Sequence, residues 1–211
     1  MTTPNRKNKG FVLWFTGLPC SGKSTLAVII AKEIERRGRL VDVLDGDEVR
    51  THLTKGLGFS KEDRDTNIRR IGWVCGKIAK HGGIAISAAI SPYRNIRDEV
   101  RALVNGQATF VEVFVDTPLE VCIQRDVKGM YKKALAGEMK NFTGIDDPYE
   151  PPMSPEMHIK TVEESEQQSA ARILGKLEQM GLIEAAHEPA YTPEEAEKIR
   201  QRLENLGYIE K

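Results

Sequence analysis

The chain has 211 residues, 31 Lys and Arg against 31 Asp and Glu, and a formal net charge of zero. That length suits one domain with a short appendage and is ample for a single core, and the balanced charge argues against a nucleic-acid polymer as partner. Three widely spaced cysteines (Cys20, Cys75 and Cys122) form no C-x-x-C pair, the first ten residues are polar and basic, and no run approaches membrane-spanning length; a zinc site, a disulfide framework, a secretory signal and a membrane span are therefore not expected, and a cytoplasmic enzyme is.

Residues 11–16, Phe-Val-Leu-Trp-Phe-Thr, form a short apolar run long enough for one buried strand. Directly behind it stands Gly17-Leu18-Pro19-Cys20-Ser21-Gly22-Lys23-Ser24, which fits G-x-x-x-x-G-K-[ST], the phosphate-cradling loop of nucleoside-triphosphate enzymes. Residues 25–37 then read as a helix, with Leu26, Ile29, Ile30 and Ile34 in one apolar stripe. Strand, glycine loop and helix in that order are the context this motif needs. Gly17 and Gly22 let the backbone turn its N–H groups toward phosphate oxygens, and the helix dipole points its positive end at them. Lys23 can reach the outer phosphates and Ser24 can ligate Mg²⁺. Gly17 through Thr25 are thus the expected ATP site.

Residues 40–44 read as a second strand that ends in Asp45-Gly46-Asp47. Two carboxylates there, next to the phosphate loop, can bind Mg²⁺ or take a proton from an attacking hydroxyl. The competing reading is an Asp-Gly turn that caps the next helix. Residues 63–81 carry Ile68, Ile71, Val74, Cys75 and Ile78 at helical spacing, and Gly82-Gly83 ends that helix. Residues 84–90 read as a buried strand, 96–104 as a helix and 109–115 as a further strand; Pro118 opens a helix to about residue 126. Residues 148–155 are a proline-rich loop, and 167–180 a late helix closed by Gly181. This alternation predicts an α/β fold, a mostly parallel sheet with helices on both faces, whose ligands bind beyond the carboxyl ends of the strands. Past Gly181 a linker leads to an amphipathic helix expected over 193–205. The expected division is a kinase domain over 1–183 and an extension over 184–211.

A longer series of motifs follows the phosphate loop. Asp45-Gly46-Asp47-Glu48-Val49-Arg50 precedes Leu57-Gly58-Phe59-Ser60, Asp63-Arg64 and Asn67-Ile68-Arg69-Arg70. Then come Ile90-Ser91-Pro92-Tyr93-Arg94, Asp126-Val127-Lys128-Gly129-Met130-Tyr131-Lys132-Lys133-Ala134 and Phe142-Thr143-Gly144-Ile145-Asp146-Asp147-Pro148-Tyr149-Glu150. In this order, over residues 10–181, the series resembles the adenylylsulfate kinases. The resemblance implies a P-loop kinase that moves the γ-phosphate of ATP to the 3′-hydroxyl of adenosine 5′-phosphosulfate, giving 3′-phosphoadenosine 5′-phosphosulfate, with Mg²⁺ as metal and a homodimer as assembly.

Carried over position by position, the resemblance implies that Phe59 and Phe142 sandwich the acceptor adenine. It implies that Arg50, Arg64 and Asn67 hold the acceptor's phosphosulfate and ribose, that Ile90, Ser91 and Lys128 line the same pocket, and that Asp47 also binds the acceptor. Ser91 falls at the serine to which a phosphoenzyme role is often assigned in this family; in-line transfer between two bound substrates needs no covalent stop, so orientation of substrate is the competing role. Lys23, Asp45, Asp47 and Ser91 are the expected catalytic set, and Ser24 with Asp45 the expected metal partners. Which aspartate is the base stays open. The residue types fit this chemistry: arginine presents a fixed fork to anionic oxygens, and aromatic rings stack on purines. Without the resemblance, Phe59 and Phe142 would read as core residues and Arg50 and Arg64 as helix surface.

The basic, glycine-punctuated stretch 125–140 suits a lid over phosphates, with Arg125 reaching ATP. The loop departs from the family in Leu18-Pro19-Cys20, where small residues are usual, and Pro19 removes one backbone N–H. Two rival readings remain at this stage. A P-loop kinase for a sugar, a shikimate-like acid or a nucleoside would want carboxylates and amides where this chain has Phe59 and Phe142. A nucleotide-dependent binding module would need a partner surface that reorders with the γ-phosphate.

Overall fold

A computed structural model describes residues 9–185. The helix expected over 193–205 lies outside the described residues. Five parallel strands, β1 (Phe11–Thr16), β2 (Val41–Asp45), β3 (Ile84–Ala88), β4 (Thr109–Asp116) and β5 (Met157–Lys160), lie in the order β2-β3-β1-β4-β5. The helices are α1 (Lys23–Arg36), α2 (Gly46–His52), α3 (Lys61–Lys80), α4 (Arg94–Asn105), α5 (Leu119–Arg125), α6 (Met130–Leu135) and α7 (Glu166–Gln179).

The inner strands β1 and β3 are buried along their whole length because both faces of the sheet are covered, whereas β5, at the sheet edge, alternates buried and exposed residues. Phe11, Leu13 and Phe15 of β1 face α1 and α7 in one buried cluster with Ile30, Ile34, Ile173 and Leu177. Val12 and Trp14 point the other way, into a cluster with Ile68, Ile71 and Cys75 of α3 and Ile96, Val100 and Val104 of α4. Burial pushes the Cys75 thiol up to about 12, so it is a neutral core side chain, as its helical position predicts. A third, smaller cluster (Cys122, Tyr131, Ala134 and Phe142) packs against Leu18 and Cys20 and so joins α5 and α6 to the loop after β1.

α2 starts at the Asp45-Gly46 turn and is the helix that the capping reading of that turn expected. Two further short elements have no counterpart in the sequence reading: α6 lies inside the basic stretch, and β5 follows the proline-rich loop with only four residues. Each is too short for periodicity to register. The strand expected over 84–90 ends at Ala88 instead, where its pairing with Phe15 of β1 and with Asp45, the last residue of β2, runs out; Ser91 then takes the left-handed region at φ 42°. α7 is closed at its start by a capping box between Ser165 and Gln168.

Candidate active site

β1 is central, and the chain leaves its carboxyl end as the loop Gly17–Ser24 before entering α1. Gly17 is required here: a Cβ would lie 2.4 Å from Val115 O. Gly22 stands at φ 105°, just before the first turn of α1, a conformation that side chains disfavour. The loop is held from outside by three side chains. Thr117 Oγ1 donates to Ser21 O at 3.0 Å, the Tyr131 hydroxyl donates to Pro19 O at 3.1 Å, and Arg125 Nη1 approaches Cys20 O and Ser21 O at 3.4 Å each. Arg125, Ser21, Gly22 and Thr161 also line one cleft beside the loop.

Lys23 is buried, and its ammonium donates to Leu18 O at 2.6 Å, Gly17 O at 3.0 Å and Ser21 Oγ at 3.3 Å. Burial brings its pKa down to about 8. These oxygens balance the charge of the lysine only in part, so the loop is prepared for anionic ligand oxygens.

Ser24, the second residue of α1, donates from Oγ to Asp45 Oδ2 at 2.6 Å. Asp45 ends β2 and caps α2, its Oδ1 accepting from Asp47 N at 3.1 Å. The two readings of the Asp-Gly-Asp turn therefore hold together: one carboxylate oxygen caps the helix, the other faces the phosphate-loop serine. Asp47, exposed on the first turn of α2, pairs with Lys128 from the segment between α5 and α6, which holds the Lys128 pKa above its ordinary value. Ser24 and Asp45 are a hydroxyl and a carboxylate, hard oxygen donors that fit a cation completing its shell with phosphate and water. Among the described residues no larger His, Cys, Asp and Glu cluster suits a metal.

The residues expected around an acceptor gather on α2, α3 and the 141–150 segment. The Arg50 guanidinium sits 4.3 Å from the centroid of the exposed Phe59 ring, and that of Arg64 5.9 Å from the same ring. Burial and the neighbouring Arg64 push the Arg50 pKa down; two like charges over one ring make a local demand for an anion. Arg64 itself is buried and occupied. It donates through Nε to Phe59 O at 2.9 Å and through Nη1 to Thr143 Oγ1 at 2.5 Å, with a further bond to Asn141 O. It therefore ties the Phe59 turn to the 141–143 turn. Asn67 Oδ1 accepts from Thr54 Oγ1 at 2.7 Å. Phe142 is buried, edge-on to Tyr131 with centroids 4.9 Å apart, whereas Phe59 is exposed.

Ile90 and Ser91 follow β3. Ser91 Oγ accepts from Trp14 Nε1 at 3.2 Å. Thr16 Oγ1 donates to Ile90 O at 2.8 Å and is hydrogen-bonded to the Tyr149 hydroxyl at 2.9 Å. Holding a serine at φ 42° costs roughly 1–3 kcal/mol, so the surroundings must impose it. Part of that surrounding is Arg97, buried on α4, which reaches Ser91 O at 2.6 Å and pairs with buried Glu112 of β4 at 3.0 Å. Sequence reasoning passed over Trp14, Thr16, Arg97 and Glu112. A signal existed for two of them. Arg97 interrupts the apolar stripe Ile96, Val100, Val104, and Glu112 stands among Phe110, Val111 and Val113.

Comparison with known proteins is consistent with this arrangement. The model of the family described as adenylylsulphate kinase matches residues 9–160. An adenylyl-sulfate kinase of Gloeothece citriformis is 55% identical over 177 residues, 84% of this chain and 99% of that one. A probable bifunctional SAT/APS kinase of Sorangium cellulosum is 60% identical over 174 residues, 82% of this chain but only 29% of that longer protein. Among solved structures, the Mycobacterium tuberculosis APS kinase in complex with AMPPNP and APS superposes with a TM-score of 0.76 at 40% identity, over 81% of this chain and 98% of that chain.

Proposed function

The chain belongs to the adenylylsulfate kinase family, and from that premise we propose how its own residues carry the reaction. It is a kinase that uses ATP to phosphorylate adenosine 5′-phosphosulfate, the step that makes 3′-phosphoadenosine 5′-phosphosulfate. The loop amides of residues 17–25 other than Pro19, with Lys23 and Arg125, take the triphosphate. Arg50 and Arg64 over Phe59 form the anion-demanding end of the acceptor site, with Asn67, Ile90, Ser91, Lys128 and Phe142 completing it.

Ser24 and Asp45 are the residues that would hold Mg²⁺, which when bound neutralises charge on the transferring phosphoryl group. Their 2.6 Å approach divides the labour between the two aspartates. Asp45 is engaged with Ser24 and the α2 cap, while Asp47 is exposed and held only by the flexible Lys128. Asp47 accepts the 3′-hydroxyl proton as that oxygen attacks the γ-phosphorus, and ADP leaves from the opposite side. Both nucleotides are bound side by side in this scheme, so no phosphoserine forms at Ser91.

The observation that carries this reading is the pairing of two cation-rich sites at one edge of the sheet, the Lys23 loop and the Arg50–Arg64–Phe59 group. The test offers ATP with adenosine 5′-phosphosulfate, a nucleoside, a sugar and shikimate in turn, and measures ADP. Release of ADP with the first acceptor alone is expected. Release with another acceptor in its place overturns the reading, and ATP binding without ADP revives the binding-module alternative.

The described residues include no helix long and apolar enough to cross a membrane; a cytoplasmic setting is part of the proposal. We further expect a homodimer, tested by sedimentation, and a kinase unit over residues 1–183 with 184–211 as an extension.

A further inference from the structure

We propose that Arg97 is a positioning residue for the transfer, and that it sets the acceptor wall by gripping the main chain at Ser91 and at Glu150. The proposal rests on the reading of Ile90 and Ser91 as part of the acceptor site.

Arg97 lies on α4 and is 2% exposed. Its guanidinium reaches in three directions. Nη1 donates to Ser91 O at 2.6 Å, Nη2 to Glu150 O at 2.6 Å, and Nε to Glu112 Oε1 at 3.0 Å. One planar group thus joins the turn after β3 to a segment more than fifty residues further along. The second grip on these segments comes from β1, where Thr16 contacts both Ile90 O and the Tyr149 hydroxyl. Trp14 holds the Ser91 hydroxyl. Ser91 has no glycine's freedom, yet it stands at φ 42°. The bonds from Arg97, Trp14 and Thr16 are what keep it there.

The charge of Arg97 is balanced within the protein. Glu112 accepts from Arg97 and, through its other oxygen, from Arg101 at 3.0 Å; Arg101 also forks onto Glu156 at 2.6 and 2.9 Å. Two arginines face two carboxylates, so Arg97 has no need of a substrate anion, and its role is indirect. Stability alone does not account for it. An apolar side chain of similar volume, in line with Ile96, Val100 and Val104, would fill the position at lower desolvation cost. An apolar side chain cannot hold two carbonyls at a set separation; the guanidinium fork can.

Steady-state kinetics of the full chain test the proposal with Arg97→Lys, Arg97→Met and, as reporter of the acceptor site itself, Arg50→Ala. Arg97→Met leaves Glu112 paired with Arg101, so no buried carboxylate is stranded; Arg97→Lys carries the test should the methionine variant not fold. Both Arg97 variants are expected to raise KM for adenosine 5′-phosphosulfate about tenfold or more, as displacement of a substrate wall by a fraction of an ångström does. KM for ATP is expected to stay within about twofold, with lysine milder than methionine because it keeps one of the three bonds. A merely structural arginine would lower the active fraction and leave both KM values unchanged, and that result overturns the proposal. Unchanged acceptor KM in the Arg97 variants with a raised value in Arg50→Ala overturns the Arg97 role and leaves the site reading standing. Unchanged values in all three overturn the site reading as well.

Discussion

Ser24 donates its hydroxyl proton to Asp45 Oδ2 across 2.6 Å, which joins the first turn of α1 to the end of β2 at the mouth of the phosphate loop. The pair brings together the hydroxyl and the carboxylate proposed to hold Mg²⁺. Asp45→Asn is expected to keep α2, because asparagine caps a helix as well as aspartate does. It is expected to lower kcat/KM by roughly 10²-fold or more and to raise the Mg²⁺ concentration needed for half-maximal rate. A magnesium titration of kinase activity, with circular dichroism as control, checks this; unchanged magnesium dependence would remove Asp45 from the metal site.

Asp47, two residues away, is the proposed general base. Asp47→Asn is expected to lower kcat by roughly 10²–10⁴-fold, the range typical of a lost general base, while ATP binding persists. Its partner Lys128 is exposed, and an exposed ion pair contributes about 0–1 kcal/mol, so the melting temperature should hardly move. Rapid-quench measurement of a single turnover separates this from slowed product release. A wild-type single-turnover rate would assign the proton to another group.

Burial of Lys23 predicts a pH-sensitive nucleotide site. Burial brings its pKa to about 8, against an ordinary value of 10.5. Between those values the unfolded chain binds a proton that the folded one has released, so this group makes the nucleotide-free protein more stable as pH rises from about 8 toward 10.5. The same deprotonation removes the charge that meets phosphate, so ATP affinity should fall as pH rises through about 8. Calorimetric titration with ATP at several pH values reads the effect, with Lys23→Met as the control that abolishes it. A flat profile in the native protein would place the lysine pKa elsewhere.

Phe59 and Phe142 should separate cleanly. Phe142 is buried against Tyr131, so Phe142→Ala should cost roughly 3–5 kcal/mol of stability. Phe59 is 53% exposed; Phe59→Ala should change stability by about 0.5 kcal/mol or less. Loss of base stacking, about 1–3 kcal/mol, should raise the acceptor KM about tenfold. Thermal melts and acceptor kinetics on both variants decide the matter; an unaltered acceptor KM in Phe59→Ala would take the adenine away from that ring.

Sequence alone determined the strand–loop–helix unit around Lys23, because phosphate binding needs specific residue types at fixed local spacing and the flanking periodicities are local too. It also indicated that the sheet is parallel and covered on both faces, since strand and helix patterns alternate along the chain. The division of labour proposed for Asp45 and Asp47 was not readable, because it turns on Ser24, 21 residues away, and on Lys128, 81 residues away. The same holds for Arg64, whose guanidinium bonds the protein's own Phe59, Asn141 and Thr143, partners that its motif position did not indicate. Arg97 is the extreme case. Its interruption of an apolar stripe was visible in the linear chain, but its meaning was not until folding laid β3, β4 and the 149–151 segment around it. A side chain's type is a local property, whereas the group it bonds is chosen by which distant segments the crossovers bring within about 3 Å.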